Sequence, residues 1–289
     1  MTPRLLASLL GLLVVATAMG ASSPGTAGSL KHLLPARIAA AGVVEVGSDI
    51  SYAPVEFYKE GTHEVQGLDY DLATAMGAKL GVRFAFVNAT FDGIIPALLA
   101  KRFDIIFSAM NDTAERERRI DLIDYFMAGS GILVRKGNPN RIHTIADLCG
   151  KTADAEQGTA QVTYLKQQSQ RCVAERKGPI TILAFATDTD ALEQLKLGRS
   201  AAHIADFPVA AYDARTEGGG RDFDVAGKQF ENAPYGIGLR KDDRQLRDAL
   251  QAALKAIIAD GEYDRILAKW GLQQGALRTA SISAGSHMH

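Results

Sequence analysis

The sequence predicts an α/β fold in which helices cover mostly parallel strands. Apolar, β-rich runs alternate with helical patterns from residue 43 onward, and the connections between them are short. Several runs are apolar on both faces, which suits strands that are buried on both sides. The chain has 289 residues, 47% hydrophobic and 22% charged. These values are ordinary for a folded protein and exclude a mainly disordered chain.

The predicted elements follow one another regularly. Strands are predicted at Val43–Val46, Phe84–Val87, Phe103–Phe107, Ile132–Val134, Thr181–Phe185, Ala202–Ala205 and Tyr235–Leu239. Helices are predicted at Leu68–Leu80, Gly93–Ala100, Ala160–Cys172, Thr189–Leu197, Pro208–Arg215, Gln245–Ala259 and Tyr263–Trp270. Within the helix at 245–259, Leu246, Leu250, Leu254 and Ile257 form one apolar stripe.

Residues 1–20 are predicted to be a secretory signal peptide. Arg4 precedes the apolar run Leu5–Met19, and small residues follow it. The run has about 15 residues, short of the roughly 20 that span a bilayer; an uncleaved anchor is the alternative. No cysteine lies near the cleavage site. We therefore expect a soluble secreted or periplasmic protein without a lipid anchor, with residues 21–42 as an N-terminal linker.

The two cysteines, Cys149 and Cys172, are predicted to form a disulfide. Export places the chain in an oxidising compartment, where paired cysteines persist. They stand 23 positions apart and flank a predicted helix. Two buried free thiols are the alternative.

Charge and motifs exclude several function classes. The formal net charge is −1, so there is no electrostatic case for nucleic-acid binding. Two cysteines are too few for a four-cysteine zinc site. GxSxG, HExxH and CxxC motifs do not occur, so we expect no metal, no cofactor and no catalytic triad.

Three stretches are more specific than the periodicity. The first reads GLDYDL from Gly67. The second comprises FDGIIPAL from Phe91 and FDIIFSAMNDTAER from Phe103. The third combines EQGT at Glu156 with Asp206 and with YGIG at Tyr235. Together they resemble the extracytoplasmic solute-binding proteins of amino-acid ABC importers, the polar amino-acid family, over roughly residues 43–272.

The resemblance implies two α/β lobes, each a mostly parallel sheet flanked by helices, joined by two hinge strands around a ligand cleft. Lobe one would comprise residues 43–126 and 236–273, and lobe two residues 133–231. Residues 127–132 and 232–235 would form the hinge. Residues 274–289 would be a C-terminal tail, whose last residues, GSHMH, are typical of an expression vector.

The resemblance also implies how a free amino acid is held. A buried zwitterion needs a partner for each charge. Arg116 matches the family's carboxylate-binding arginine, whose planar guanidinium offers paired donors, and Asp206 matches the acceptor for the α-ammonium. The turn before Arg116 would add Ser108, Ala109, Asn111 and Thr113. Read from the residues alone, Arg116 could be a solvated ion pair and Asp206 a helix N-cap.

Other matches would surround the rest of the ligand. Tyr52 and Phe91 match rings that enclose the ligand's side chain, with plain core packing as the alternative. Gly158, Thr159 and Ala160 match a loop and helix start in lobe two, where Thr159 would contact the carboxylate end. Ala109 and Ala160 depart from the usual pattern, and an alanine at positive φ is unfavourable.

Asp49 and Glu156 match positions at the far end of the ligand. Two buried carboxylates need a cationic partner, so they favour a basic amino acid, followed by an uncharged polar one such as glutamine. The alternative is that Glu156 points to solvent.

The expected function is therefore delivery of an amino acid to an ABC permease by a monomeric, non-enzymatic protein. The alternatives are a dehydratase-type enzyme on the same fold, testable by turnover of prephenate or arogenate, and a ligand-sensing module for a membrane receptor.

Overall fold

The computed structural model describes residues 30–285. The predicted signal peptide and residues 286–289 lie outside this range, as does the first part of the predicted linker. Within residues 30–285, no helix combines the length and apolar character needed to cross a bilayer.

The elements of the described chain alternate as the sequence predicts. The strands are β1 (Val43–Ser48), β2 (Ser51–Tyr52), β3 (Glu56–Tyr58), β4 (Val65–Gln66), β5 (Arg83–Asn88), β6 (Ile105–Ile106), β7 (Asp121–Arg135), β8 (Thr152–Glu156), β9 (Thr181–Phe185), β10 (Ala202–Asp206) and β11 (Phe223–Leu239). The α-helices are α1 (Ala36–Ala41), α2 (Leu68–Leu80), α3 (Phe91–Leu99), α4 (Ala114–Glu117), α5 (Ala160–Ala174), α6 (Asp188–Lys196), α7 (Phe207–Thr216), α8 (Arg244–Ala259) and α9 (Glu262–Trp270).

The main sheet joins two parallel halves through two long antiparallel strands. Its order is β5-β1-β6-β11-β7-β10-β8-β9. β1 pairs in parallel with β5 and β6, and β8 pairs in parallel with β9 and β10. β7 and β11 pair with each other and pass from one half to the other, and their register shifts between Ala226 and Gly236. The chain thus has a two-lobed α/β fold, with lobe one around β5-β1-β6 and lobe two around β10-β8-β9.

Each lobe has its own hydrophobic core. In lobe one, α2, α8 and α9 bury residues such as Met76, Leu250 and Leu267. In lobe two, Ile132, Leu165 and Ile204 belong to a separate buried cluster that includes Cys172. The predicted disulfide is confirmed: Cys149 and Cys172 are bonded, with their Cα atoms 5.5 Å apart.

Several elements were not predicted from the sequence, namely β2, β3, β4, β8, α1 and α4. In the described part of the predicted linker, Lys31–Leu33 form a 3₁₀ helix and α1 follows it. Leu34 and Ile38 are buried in lobe one, which explains why this segment is ordered. The strand β8 was not predicted, because its sequence TADAE is polar, yet its last four residues are buried.

Candidate functional site

The site lies where strands from both lobes end at the same edge. Asp49 follows β1, and the turn from Ser108 to Asn111 follows β6. On lobe two, Glu156 is the last residue of β8 and Asp206 the last residue of β10. Carboxyl ends of parallel strands are the usual place for ligands in open α/β sheets.

These residues enclose a nearly closed cavity of about 10 Å³ between the lobes. Eight predicted site residues line it: Asp49, Tyr52, Phe91, Ala109, Asn111, Glu156, Thr159 and Asp206. Two others, Glu56 and Gln161, were not predicted. A cavity of this size has room for about one water molecule, so the two lobes stand close together here.

Asp206 is held by donors from both lobes. The Tyr52 hydroxyl lies 3.2 Å from Oδ2 and accepts the Asp206 backbone N–H at 2.8 Å. The amides of Gln161 and Asn111 donate to Oδ1 at 2.8 and 3.4 Å. Burial raises the pKa of Asp206 to about 6. The carboxyl is therefore mostly ionised at neutral pH and can accept a cationic group.

Three further carboxyl groups line the cavity. Asp49, Glu56 and Glu156 are each at most 4% exposed. Ser108, which does not line the cavity, joins two of them: its hydroxyl donates to Glu56 Oε1 at 2.9 Å and accepts the Asp49 N–H at 2.8 Å. No protein donor reaches Glu56 Oε2 or Glu156 Oε1 within the described chain.

Burial makes ionisation of these groups costly. It raises the pKa of Asp49, and it raises the pKa of Glu56 well above its ordinary value. The pKa of Glu156 rises to about 11 because of burial and the nearby charges of Asp49 and Asp188. A cation placed here would relieve both desolvation and repulsion.

Arg116 lies beside the cavity, in an adjacent groove. It belongs to α4, whose N-cap Thr113 accepts the Arg116 N–H at 3.4 Å. Its guanidinium donates to the carbonyl oxygens of Asn111 (2.8 Å) and Gly158 (3.1 Å) and lies 5.1 Å from the centre of the Phe91 ring. The groove is also lined by Thr113, Gly158, Thr159 and Ala160. Arg116 is thus buried at the meeting point of the lobes rather than in a solvated surface pair.

The turn after β6 has an unusual backbone. Ala109 has φ 39°, in the region that favours glycine. Its N–H donates to Asp69 Oδ2 at 3.1 Å, which anchors the turn to the start of α2. The turn therefore forms even though Ala109 departs from the usual family pattern.

Little in the sequence indicated that Gln161 and Glu56 line the cavity. Gln161 follows the Gly158–Ala160 loop in the first turn of α5, so its position facing the cleft could have been inferred. Glu56 stands between Val55 and Phe57, and nothing in that pattern predicts a buried carboxyl. Within residues 30–285, no cluster of three or more His, Cys, Asp or Glu side chains is arranged to hold a metal.

Comparison with known proteins identifies the family. The family model of bacterial extracellular solute-binding proteins, family 3, matches residues 44–273. The chain belongs to this family. The match spans both lobes and every residue that lines the cavity.

Three similar proteins illustrate this membership. The arginine-binding protein ArgT of Corynebacterium glutamicum is 33% identical over 265 residues, which cover 90% of this chain and 84% of ArgT. An ancestral arginine-binding protein bound to arginine is 34% identical with a TM-score of 0.72, covering 79% of this chain and 98% of its own. The ancestral amino acid-binding protein AncCDT-1, a precursor of cyclohexadienyl dehydratase, is 33% identical with a TM-score of 0.72, covering 81% and 97%.

Proposed function

We propose that this extracellular solute-binding protein binds a free basic amino acid, arginine above all, and delivers it to an ABC permease. The observation that carries the proposal is the set of four buried carboxyl groups that line one interlobe cavity, namely Asp49, Glu56, Glu156 and Asp206. A ligand with two cationic groups matches this lining. The arginine named for two of the similar proteins supports the same ligand.

Each part of the ligand has a partner of suitable chemistry. Asp206 accepts the α-ammonium, and Arg116 exchanges its carbonyl partners for the α-carboxylate. The side-chain guanidinium reaches Asp49 and Glu156, with Tyr52 and Phe91 against its aliphatic stem. Because Arg116 and Asp206 lie on opposite lobes, the ligand links the lobes, and bending at residues 127–132 and 232–235 accompanies its release.

A thermal-shift panel of the twenty amino acids, ornithine and citrulline tests the ligand class. Arginine should raise the melting temperature most, because a ligand at 100 times its Kd stabilises the folded state by about 2.7 kcal/mol. Lysine and ornithine should give smaller shifts, and glutamine a smaller one again. A panel with no shift for any amino acid would contradict the proposal.

A binding protein, rather than an enzyme, fits the intact zwitterion partners Arg116 and Asp206. The relation to AncCDT-1 keeps a dehydratase as the second candidate, with Glu156 or Asp49 as its acid. Incubation with prephenate and arogenate distinguishes the two, since a binding protein leaves both unchanged. We further propose a monomer without lipid anchor, which light scattering and mass measurement of exported protein can check.

Gly158→Ala should weaken arginine binding at least tenfold. Gly158 has φ +82°, and a Cβ there would lie 2.7 Å from the Asp92 Cα of the facing lobe. The matched control is Gly137→Ala, because Gly137 has φ +78° and nothing within 4 Å of its added Cβ. Both variants carry similar backbone strain, but only the first obstructs lobe contact. Equal affinities of the two variants in calorimetry would show that this contact does not contribute to binding.

A further inference from the structure

Two acidic side chains from opposite lobes meet in the cavity. Asp49 of lobe one and Glu156 of lobe two line the same cavity, and each is only 4% exposed. Two buried carboxyl groups that share a site are not both ionised, because each negative charge disfavours the other. One of the two therefore carries a proton.

The surrounding donors indicate which group is the acid. The Ser51 hydroxyl donates to Asp49 Oδ1 at 2.6 Å, and the Phe91 N–H donates to Oδ2 at 3.1 Å. Both oxygens of Asp49 thus accept hydrogen bonds, which favours its ionised form. Glu156 Oε1 has no protein donor, so Glu156 is the group that holds the proton.

Other charged groups near the pair do not supply a free cation. In lobe two, His203 lies between Asp154 (2.6 Å) and Asp188 (3.2 Å), so its positive charge is already matched. In lobe one, Glu56 interacts with Asp69 and with the Ser108 hydroxyl. Asp206 is held by amides and Tyr52, and Arg116, in the adjacent groove, by carbonyl oxygens. None of these groups offers an unmatched positive charge to an ionised Glu156.

We propose that ligand binding at this site is a cation-for-proton exchange centred on Glu156. The proton of Glu156 passes to solvent as the cationic side chain of the ligand takes its place between Glu156 and Asp49. This inference rests on the proposed function and adds to it a proton stoichiometry of one and a dependence on pH.

The sign of the pH dependence follows from mass action. If one proton is released for each ligand bound, a lower proton concentration favours binding, and affinity rises tenfold per pH unit. Between pH 7 and 8 Asp206, with a pKa of about 6, is mostly ionised, so its own titration contributes little to this dependence. Below pH 6, protonation of Asp206 should weaken binding further.

Calorimetry in two buffers counts the protons directly. Arginine is titrated at pH 7.5 in phosphate and in Tris, whose ionisation enthalpies differ. The wild-type protein should release about one proton per arginine. Citrulline has an uncharged side chain of similar shape, so any binding it shows should release none. Glu156→Gln, which keeps the shape but cannot ionise, should bind arginine without proton release and with little pH dependence between 7 and 8.

Asp213→Asn is the matched control, because Asp213 is another buried acid of lobe two but does not line the cavity. This variant should still release one proton. Proton release that persists in Glu156→Gln would come from another acid, such as Glu56, and would overturn the assignment to Glu156. If wild-type protein binds arginine tightly with the same enthalpy in both buffers, no proton is released. That result would overturn the exchange but leave the proposed function standing. Absence of arginine binding in every buffer would instead reject the proposed function.

Discussion

Asp206→Asn should lower the affinity for arginine at least about 100-fold. The substitution keeps the shape and a hydrogen-bond acceptor but removes the negative charge that we propose as the partner of the α-ammonium. Removal of one partner from a buried charge pair typically costs 2–5 kcal/mol. Isothermal titration calorimetry at pH 7.5 measures the change. The matched control is Asp224→Asn, which removes an exposed lobe-two carboxylate that pairs with Lys136 outside the cavity; it should keep wild-type affinity.

The stability of the ligand-free Asp206→Asn variant should not fall, although its affinity for arginine does. Burial raises the pKa of Asp206 to about 6 in the folded protein, from 3.8. An acid whose pKa is higher in the folded state destabilises the fold once pH exceeds the unfolded value, and this cost is fully present above pH 6. Asp206→Asn removes the cost, so its melting temperature without ligand should equal or exceed wild type at pH 7.5. A parallel fall in affinity and melting temperature would instead mean that Asp206 acts mainly in folding.

Replacement of both cysteines by alanine should lower the free energy of unfolding by about 3 kcal/mol. The disulfide joins the segment after Ile145–Leu148 to the last turns of α5, across 23 positions. A bond that closes a loop of this length restricts the unfolded chain by about that amount. Equilibrium unfolding in urea measures the loss. Arginine affinity should change less than threefold, because neither cysteine lines the cavity.

Reduction of the wild-type protein provides the control for this variant. Treatment with dithiothreitol should give the same loss of stability without any substitution. Coincident urea transitions of oxidised and reduced protein would show that the disulfide does not stabilise lobe two.

The sequence predicted the elements with strong apolar periodicity. The predicted bounds of α2 and β9 were correct to the residue. Gly67 and Gly81 flank α2, and β9 is a compact apolar run. β7 and β11 were recognised only in part, at 132–134 and 235–239. Their remaining residues include polar side chains and register shifts near the crossing between lobes, which interrupt any regular pattern.

The site residues, like the strands and helices, were predicted where the sequence carries a local motif and missed where burial depends on distant residues. Motif-bearing residues such as Asn111 and Asp206 could be placed in the cleft from the resemblance. Glu56 could not, because buried carboxyls are rare and a glutamate in a short strand is normally assigned to the surface. Its burial depends on Ser108, 52 positions away. A contact between residues so far apart in the chain produces no local sequence pattern.

The contact between Gln157 and Asp92 at the rim of the cleft has a practical consequence. The Gln157 amide donates to Asp92 Oδ2 at 2.9 Å across the lobes, although both residues are exposed. The chain has only two cysteines, and both are consumed in the disulfide. A cysteine introduced at Gln157 would therefore be the sole thiol available to a fluorescent dye. Such a dye would pass between solvent and the opposing lobe as the lobes move, which turns the protein into an optical reporter of its own ligand.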